Sequence, residues 1–110
     1  MADIPHLAAT PAMQSAMQAI WQRSLPETLK RVALLQRVAD GLKDCPTIEA
    51  ALHTEALSVA HKLAGSLGMF GFGEATLHAR AIETHLSATD APKPDEFARD
   101  VDALIASMPD

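Results

Sequence analysis

The sequence predicts an all-α fold, an antiparallel up-and-down four-helix bundle with an additional N-terminal helix. Three observations carry that expectation. Of the 110 residues 48% are apolar, yet only 4% are aromatic and tyrosine is absent, so the core is drawn from Ala, Leu, Val, Ile and Met, mostly good helix formers. These residues recur at three- and four-residue spacing and nowhere alternate as in a half-buried strand. The periodic runs are joined by short connections, which makes sequential helices antiparallel neighbours.

Each element has its own signals. Residues 1–11, with Pro5 and Pro11, read as a loose arm, and the bundle domain is expected over residues 12–110. Thr10 and Pro11 suit a cap and first turn for a first helix carrying Met13, Met17, Ile20 and Ser24. Pro26, Glu27 and Thr28 then open a second, the most apolar, with Leu29, Val32, Leu35, Ala39 and Leu42 on one side and Leu34 and Val38 widening the stripe. The segment Asp44-Cys45-Pro46-Thr47 interrupts the pattern, and Thr47 is the expected cap of a third helix. A fourth is expected from about Gly73 to Ala88, with Ala75, Ala79, Ile82 and Leu86 facing inward. A fifth follows Pro94, with Asp95 and Glu96 favouring its N-terminal dipole and Phe97, Val101, Leu104 and Met108 as its stripe. Trp21 is expected to pack the first helix onto the bundle, and Met13, Met17 and Met69 to serve as core filler and helix ends.

Composition excludes several classes of function. A single cysteine, Cys45, permits neither an internal disulfide nor a CxxC metal site and suits a reduced, cytoplasmic setting. No apolar run approaches the ~20 residues that cross a bilayer, and the N-terminus lacks a secretory layout, so no membrane partner is expected. With a net charge of −5 and nine scattered lysines and arginines, no nucleic-acid partner is expected either.

The informative stretch is Ala60 to Ala75, AHKLAGSLGMFGFGEA. On a helical projection centred on Leu63, the residues Leu52, Ala56, Val59, Leu67 and Phe70 lie within about 40° and form a buried face, with Ile48 and Ala60 near about 60°. His61 falls about 160° away, beside Thr54, Ser58, Gly65 and Gly68, and so faces water. Gly65 and Gly68 each cost a mid-helix position roughly 1 kcal/mol relative to alanine. Exposed glycines add no packing within the monomer, but they clear the turns beside the imidazole. With Ala64 and Ser66 they would leave His61 as the tall side chain on a low surface that another protein can approach. Gly71 and Gly73 are expected to turn the chain into the next helix.

The residues His61-Lys62-Leu63-Ala64-Gly65-Ser66, then Gly68, Phe70 and Gly71-Phe72, then Ala79-Arg80-Ala81-Ile82-Glu83, resemble the signature of histidine-containing phosphotransfer (HPt) domains. The resemblance implies a four-helix bundle that takes a phosphoryl group from an aspartyl phosphate of a response-regulator receiver domain and passes it to another receiver. It implies His61 as the phosphoacceptor, through Nε2, and receivers and a hybrid sensor histidine kinase as partners, with the protein itself a monomer. The docking rim and phosphate environment would be Ser58, Lys62, Ala64, Gly65 and Gly68. Many members carry a lysine where this chain has Ala64. Lys62 has two readings, a cation that reaches over the phosphoryl oxygens or a solvated side chain.

The chemistry is consistent with that resemblance. A nucleophilic imidazole must be neutral and accessible, and an exposed ring with the ordinary pKa of ~6.5 is mostly neutral near pH 7. No P-loop or kinase-like glycine pattern is present, so phosphotransferase activity would proceed without an ATP site. No acidic cluster surrounds the histidine, so Mg²⁺ is expected from the partner receiver and no cofactor from this chain. Two other classes compete: a binding-only bundle that docks on a receiver or kinase without transfer, and a metal-binding bundle using His53, His78 and His85. Zinc usually takes three or four ligands with an i, i+3 or i, i+4 pair among them, and no such set of His, Asp or Glu surrounds His61.

Overall fold

The computed structural model describes residues 10–109, which form four helices: α1 (Pro11–Asp44), α2 (Ala50–Met69), α3 (Gly73–Ser87) and α4 (Pro94–Ser107). Each helix packs on its neighbours in sequence, and α4 returns to pack on α1, closing a four-helix bundle with no strands among the described residues. The arm expected over residues 1–11 falls mostly on residues 1–9, outside the described residues, while Pro11 is the first residue of α1.

One correction concerns the N-terminal helix. The two helices expected on either side of Pro26 are one, a 34-residue α1 that passes through the proline. Proline removes the bond to the carbonyl four residues back and crowds it, a cost of about 3 kcal/mol in a helix interior. Here Pro26 and Gln22 are both on the exposed side, so the vacated carbonyl faces water. On the inner side the chain is anchored both before and after the proline. Trp21 (5% exposed), half-buried Leu25 and Thr28 (1%) continue into Val32, Leu35, Ala39 and Leu42 as a single buried stripe. The Ser24 hydroxyl donates to the Trp21 carbonyl (2.9 Å), and Thr28 Oγ1 donates to the Ser24 carbonyl (3.0 Å). Trp21 meets Phe70 and Phe72 edge-on, with ring centroids 5.3 and 4.9 Å away, so it pins the N-terminal half of α1 to the α2–α3 turn as expected.

Beyond Trp21 the helix overhangs the bundle, and this reassigns several apolar residues. Met13 (55%) and Met17 (37%) are exposed rather than core filler, as is Met69 (69%) at the end of α2. Leu29 is also exposed, lying one residue, about 100°, past the buried Thr28. The cap of α2 is Glu49, whose Oε1 accepts from the Ala51 amide at 3.3 Å, rather than Thr47. Thr47 instead pairs with Cys45, Sγ to Oγ1 at 3.4 Å.

The remaining elements follow their signals. Met69 ends α2, Gly71 takes a left-handed φ of 81° that an L side chain rarely adopts, and Gly73 opens α3. Pro94 occupies the first turn of α4 with Asp95 and Glu96 beside it, and Phe97, Val101 and Leu104 are fully buried. Burying each such side chain contributes roughly 1.5–3 kcal/mol. Part-buried His85 donates from Nε2 to Asp100 Oδ2 at 2.6 Å and lies edge-on to Phe97, joining α3 to α4.

Candidate functional site

The site is built on the α2–α3 hairpin. Ala56, Ala60, Leu63 and Leu67 are buried from α2, and Ala75, Ala79, Ile82 and Leu86 from α3, so the two helices present fixed outer faces. Leu52, Val59, Ile48 and Phe70 pack at the edges of that core, half-buried.

His61 stands on the outer face of α2 with its side chain 76% exposed, where the helical projection puts it. It is not isolated there. Its Nδ1 lies 2.7 Å from Oε2 of Glu83 on α3, a side chain 28% exposed. A carboxylate oxygen accepts, so Nδ1 is the donor, and in the neutral ring that leaves the lone pair on Nε2. Among the described residues Nε2 has no side-chain hydrogen-bond partner. The ring is thus held by one nitrogen and presents the other to solvent, the arrangement a nucleophilic imidazole requires.

Ser58, Lys62, Gly65 and Gly68 are all exposed, in agreement with the projection. A Cβ built at Gly65 meets nothing within 4 Å, so the turn after His61 is open. A Cβ at Gly68 would touch Thr76 of α3 at 3.7 Å, an ordinary contact, which places Gly68 at the helix–helix seam. Ala64 requires a correction. It is 5% exposed, part of the core, and so offers no surface to a docking partner. The reason is geometric: α2 packs on both α1 and α3, so its buried arc is wider than one stripe and reaches round to position 64. Ser66 is half-buried.

Glu83 is the residue that helical periodicity does not find. It lies twenty-two positions from His61, and only the register of the hairpin brings them together. That register was accessible from the turn: His61 and Glu83 are equally far from Phe72, as are Gly68 and Thr76.

A family model described as the Hpt domain matches residues 16–108, nearly the whole chain. The chain belongs to the Hpt domain family. Family membership sets this Hpt domain within two-component phosphorelay signalling, and the four-helix bundle is the fold it brings. A curated relative, Protein RcaC of Microchaete diplosiphon, is 32% identical over 74 residues. That match covers 67% of this chain but only 11% of the relative, so this Hpt domain corresponds to a small part of a much longer protein. No solved structure matches significantly. Among the described residues no group of three His, Cys, Asp or Glu side chains is arranged to hold a metal ion, and His53, His78 and His85 do not converge. No helix among the described residues is long and apolar enough to cross a membrane.

Proposed function

We propose that this Hpt domain relays a phosphoryl group between aspartates of response-regulator receiver domains, with His61 as acceptor and donor. The observation that carries the reading is the His61–Glu83 hydrogen bond, which ties down Nδ1 and leaves Nε2 exposed with its lone pair. In the loading step Nε2 attacks the phosphorus of a receiver's aspartyl phosphate. The N–P bond forms, the P–O bond to the aspartate breaks, and the carboxylate leaves with the electron pair. The imidazole, now bonded through both nitrogens, carries positive charge, and Glu83 stands beside the Nδ1 proton to balance it. Unloading reverses these bonds on a second receiver.

Phosphoryl transfer is mostly positioning and charge neutralisation. Glu83 is the one carboxylate hydrogen-bonded to His61, and a single carboxylate does not make a Mg²⁺ site. The receiver therefore brings the Mg²⁺ together with its acidic pocket. The exposed surface around His61 suits a protein partner: Ser58, Gly65 and Gly68 stand low beside the ring, and Met69 (69%) and Leu77 (67%) expose apolar side chains along the same hairpin.

The test is transfer itself. Incubated with a panel of phosphorylated receiver domains, the wild-type protein gains acid-labile phosphate and His61→Gln gains none. Equal labelling of the two would overturn the reading. Stable complexes without label movement would leave a binding-only module in its place.

A further inference from the structure

The seam between α2 and α3 has a single register centred on Phe72. His61 faces Glu83, and two turns along Gly68 faces Thr76. Between these two contacts, Arg80 stands level with Ala64, and Ala79 level with Gly65. Ala64 (5%) and Ala79 (0%) are buried and close the floor of the seam. Gly65 and Arg80 are exposed and form its outer edge. Arg80 is therefore three residues along the groove from the His61–Glu83 pair, a rise of about 4.5 Å that a long arginine stem can cover. The space it would cross is clear, because nothing lies within 4 Å of a Cβ at Gly65 and Ala64 presents only a buried methyl. Among the described residues no salt bridge engages Arg80.

We propose that Arg80 is the side chain that binds the phosphoryl oxygens while the group resides on His61. The proposal rests on the phosphotransfer reading above. A phosphoryl group on Nε2 brings two negative charges to the exposed side of the ring, and Glu83 beneath it adds a third. Two cations lie near in sequence or register. Lys62 projects about 160° round α2 from Ala64, on the side away from the seam, so its ammonium must double back over the helix. Arg80 lies along the seam itself, and its planar guanidinium offers two parallel N–H donors that match two phosphoryl oxygens. The absence of a side chain at Gly65 then has a use within this chain as well as for a partner, since any larger residue there would stand between Arg80 and the phosphorus.

The test loads His61 with potassium phosphoramidate, which needs no partner protein, and follows the phosphohistidine ³¹P resonance through a pH titration. An arginine on the phosphoryl oxygens favours the dianion, so the wild-type titration midpoint lies below that of Arg80→Ala by roughly half a pH unit or more. Arg80→Lys falls between them, and Lys62→Ala matches the wild type. Loss of that contact also leaves phospho-His61 less stable, so its spontaneous hydrolysis quickens roughly tenfold in Arg80→Ala. Unchanged helical circular dichroism confirms that the exposed substitution leaves the fold intact. Identical midpoints and rates for the wild type and Arg80→Ala would overturn the assignment while leaving the relay intact. Failure of the wild type to take any label at His61 would overturn both.

Discussion

Replacing Glu83 separates what holds His61 in place from what the phosphoryl step demands. In the resting protein the Nδ1–Oε2 bond of 2.7 Å joins a ring that is 76% exposed to a carboxylate that is 28% exposed. Water competes for both groups, so the pair contributes only about 0.2–1 kcal/mol to folding, as exposed ion pairs do. During transfer Nε2 commits its lone pair to phosphorus, and the ring gains positive charge while its Nδ1 proton still points at Glu83. A hydrogen bond from a neutral ring to the carboxylate becomes one between opposite charges, and the added attraction, screened by solvent, is about 1–2 kcal/mol. Because this gain is realised only as the N–P bond forms, it lowers the barrier rather than the ground state. Glu83→Ala is therefore expected to unfold within about 1 kcal/mol of the wild type and to accept phosphoryl groups roughly 5- to 30-fold more slowly. Glu83→Gln keeps an acceptor oxygen without the charge and falls between. The assay is single-turnover transfer from a phosphorylated receiver, paired with ¹⁵N measurement of the His61 tautomer. Wild-type rates in Glu83→Ala, with the proton still on Nδ1, would refute the reasoning.

Substitutions at three other positions probe the scaffold. Trp21→Ala empties the contact with Phe70 and Phe72 and is expected to cost about 3–5 kcal/mol, read as a lowered thermal midpoint and lost helicity in the N-terminal half of α1. Gly65→Ala meets open space and is expected to raise stability by roughly 0.5–1 kcal/mol in chemical denaturation, whereas Gly65→Leu keeps the fold but loses transfer. The Cys45 thiol is held below its usual range, chiefly by the Thr47 hydroxyl and then by the Thr47 backbone. Thr47→Val removes the larger cause, raises the thiol pKa, leaves less thiolate at pH 7.5, and is expected to slow alkylation by iodoacetamide.

Most of the fold was legible because each helix carries one dominant apolar period, and Leu35, Leu63, Ile82 and Phe97 lie on it and are fully buried. What misled was local. Pro26 reads as a start signal, and it would be one if the residues around it were free. Trp21, Leu25 and Thr28 are not free, since the same buried stripe continues through them, and a helix anchored on both sides of a proline costs less to bend round than to break. Met13 and Met17 have the right period for a core but overhang the bundle, and periodicity cannot tell a packed stripe from one that has run past its partner.

The site shows the same division at finer scale. Projection of α2 alone placed His61, Ser58, Gly65 and Gly68 on the outside, because exposure there depends on one helix's own phase. Ala64 and Glu83 depend on a second helix. Ala64 lies about 100° from Leu63, outside the projected buried face, and only the approach of α3 decides that its methyl is covered. Glu83 sits on α3 at an angle that says nothing about α2. Both become predictable once the turn is centred on Phe72, since an antiparallel hairpin pairs residues equidistant from its turn. The positive φ at Gly71 is what makes that turn tight enough for the rule to hold. Lengthening it, for example by inserting one residue after Gly71, would shift α3 against α2 by about 1.5 Å and turn Glu83 about 100° from His61. Such a variant should keep its helices yet lose the Nδ1 hydrogen bond, and transfer with it. Retained wild-type transfer would mean that the geometry of the hairpin is not what orients the imidazole.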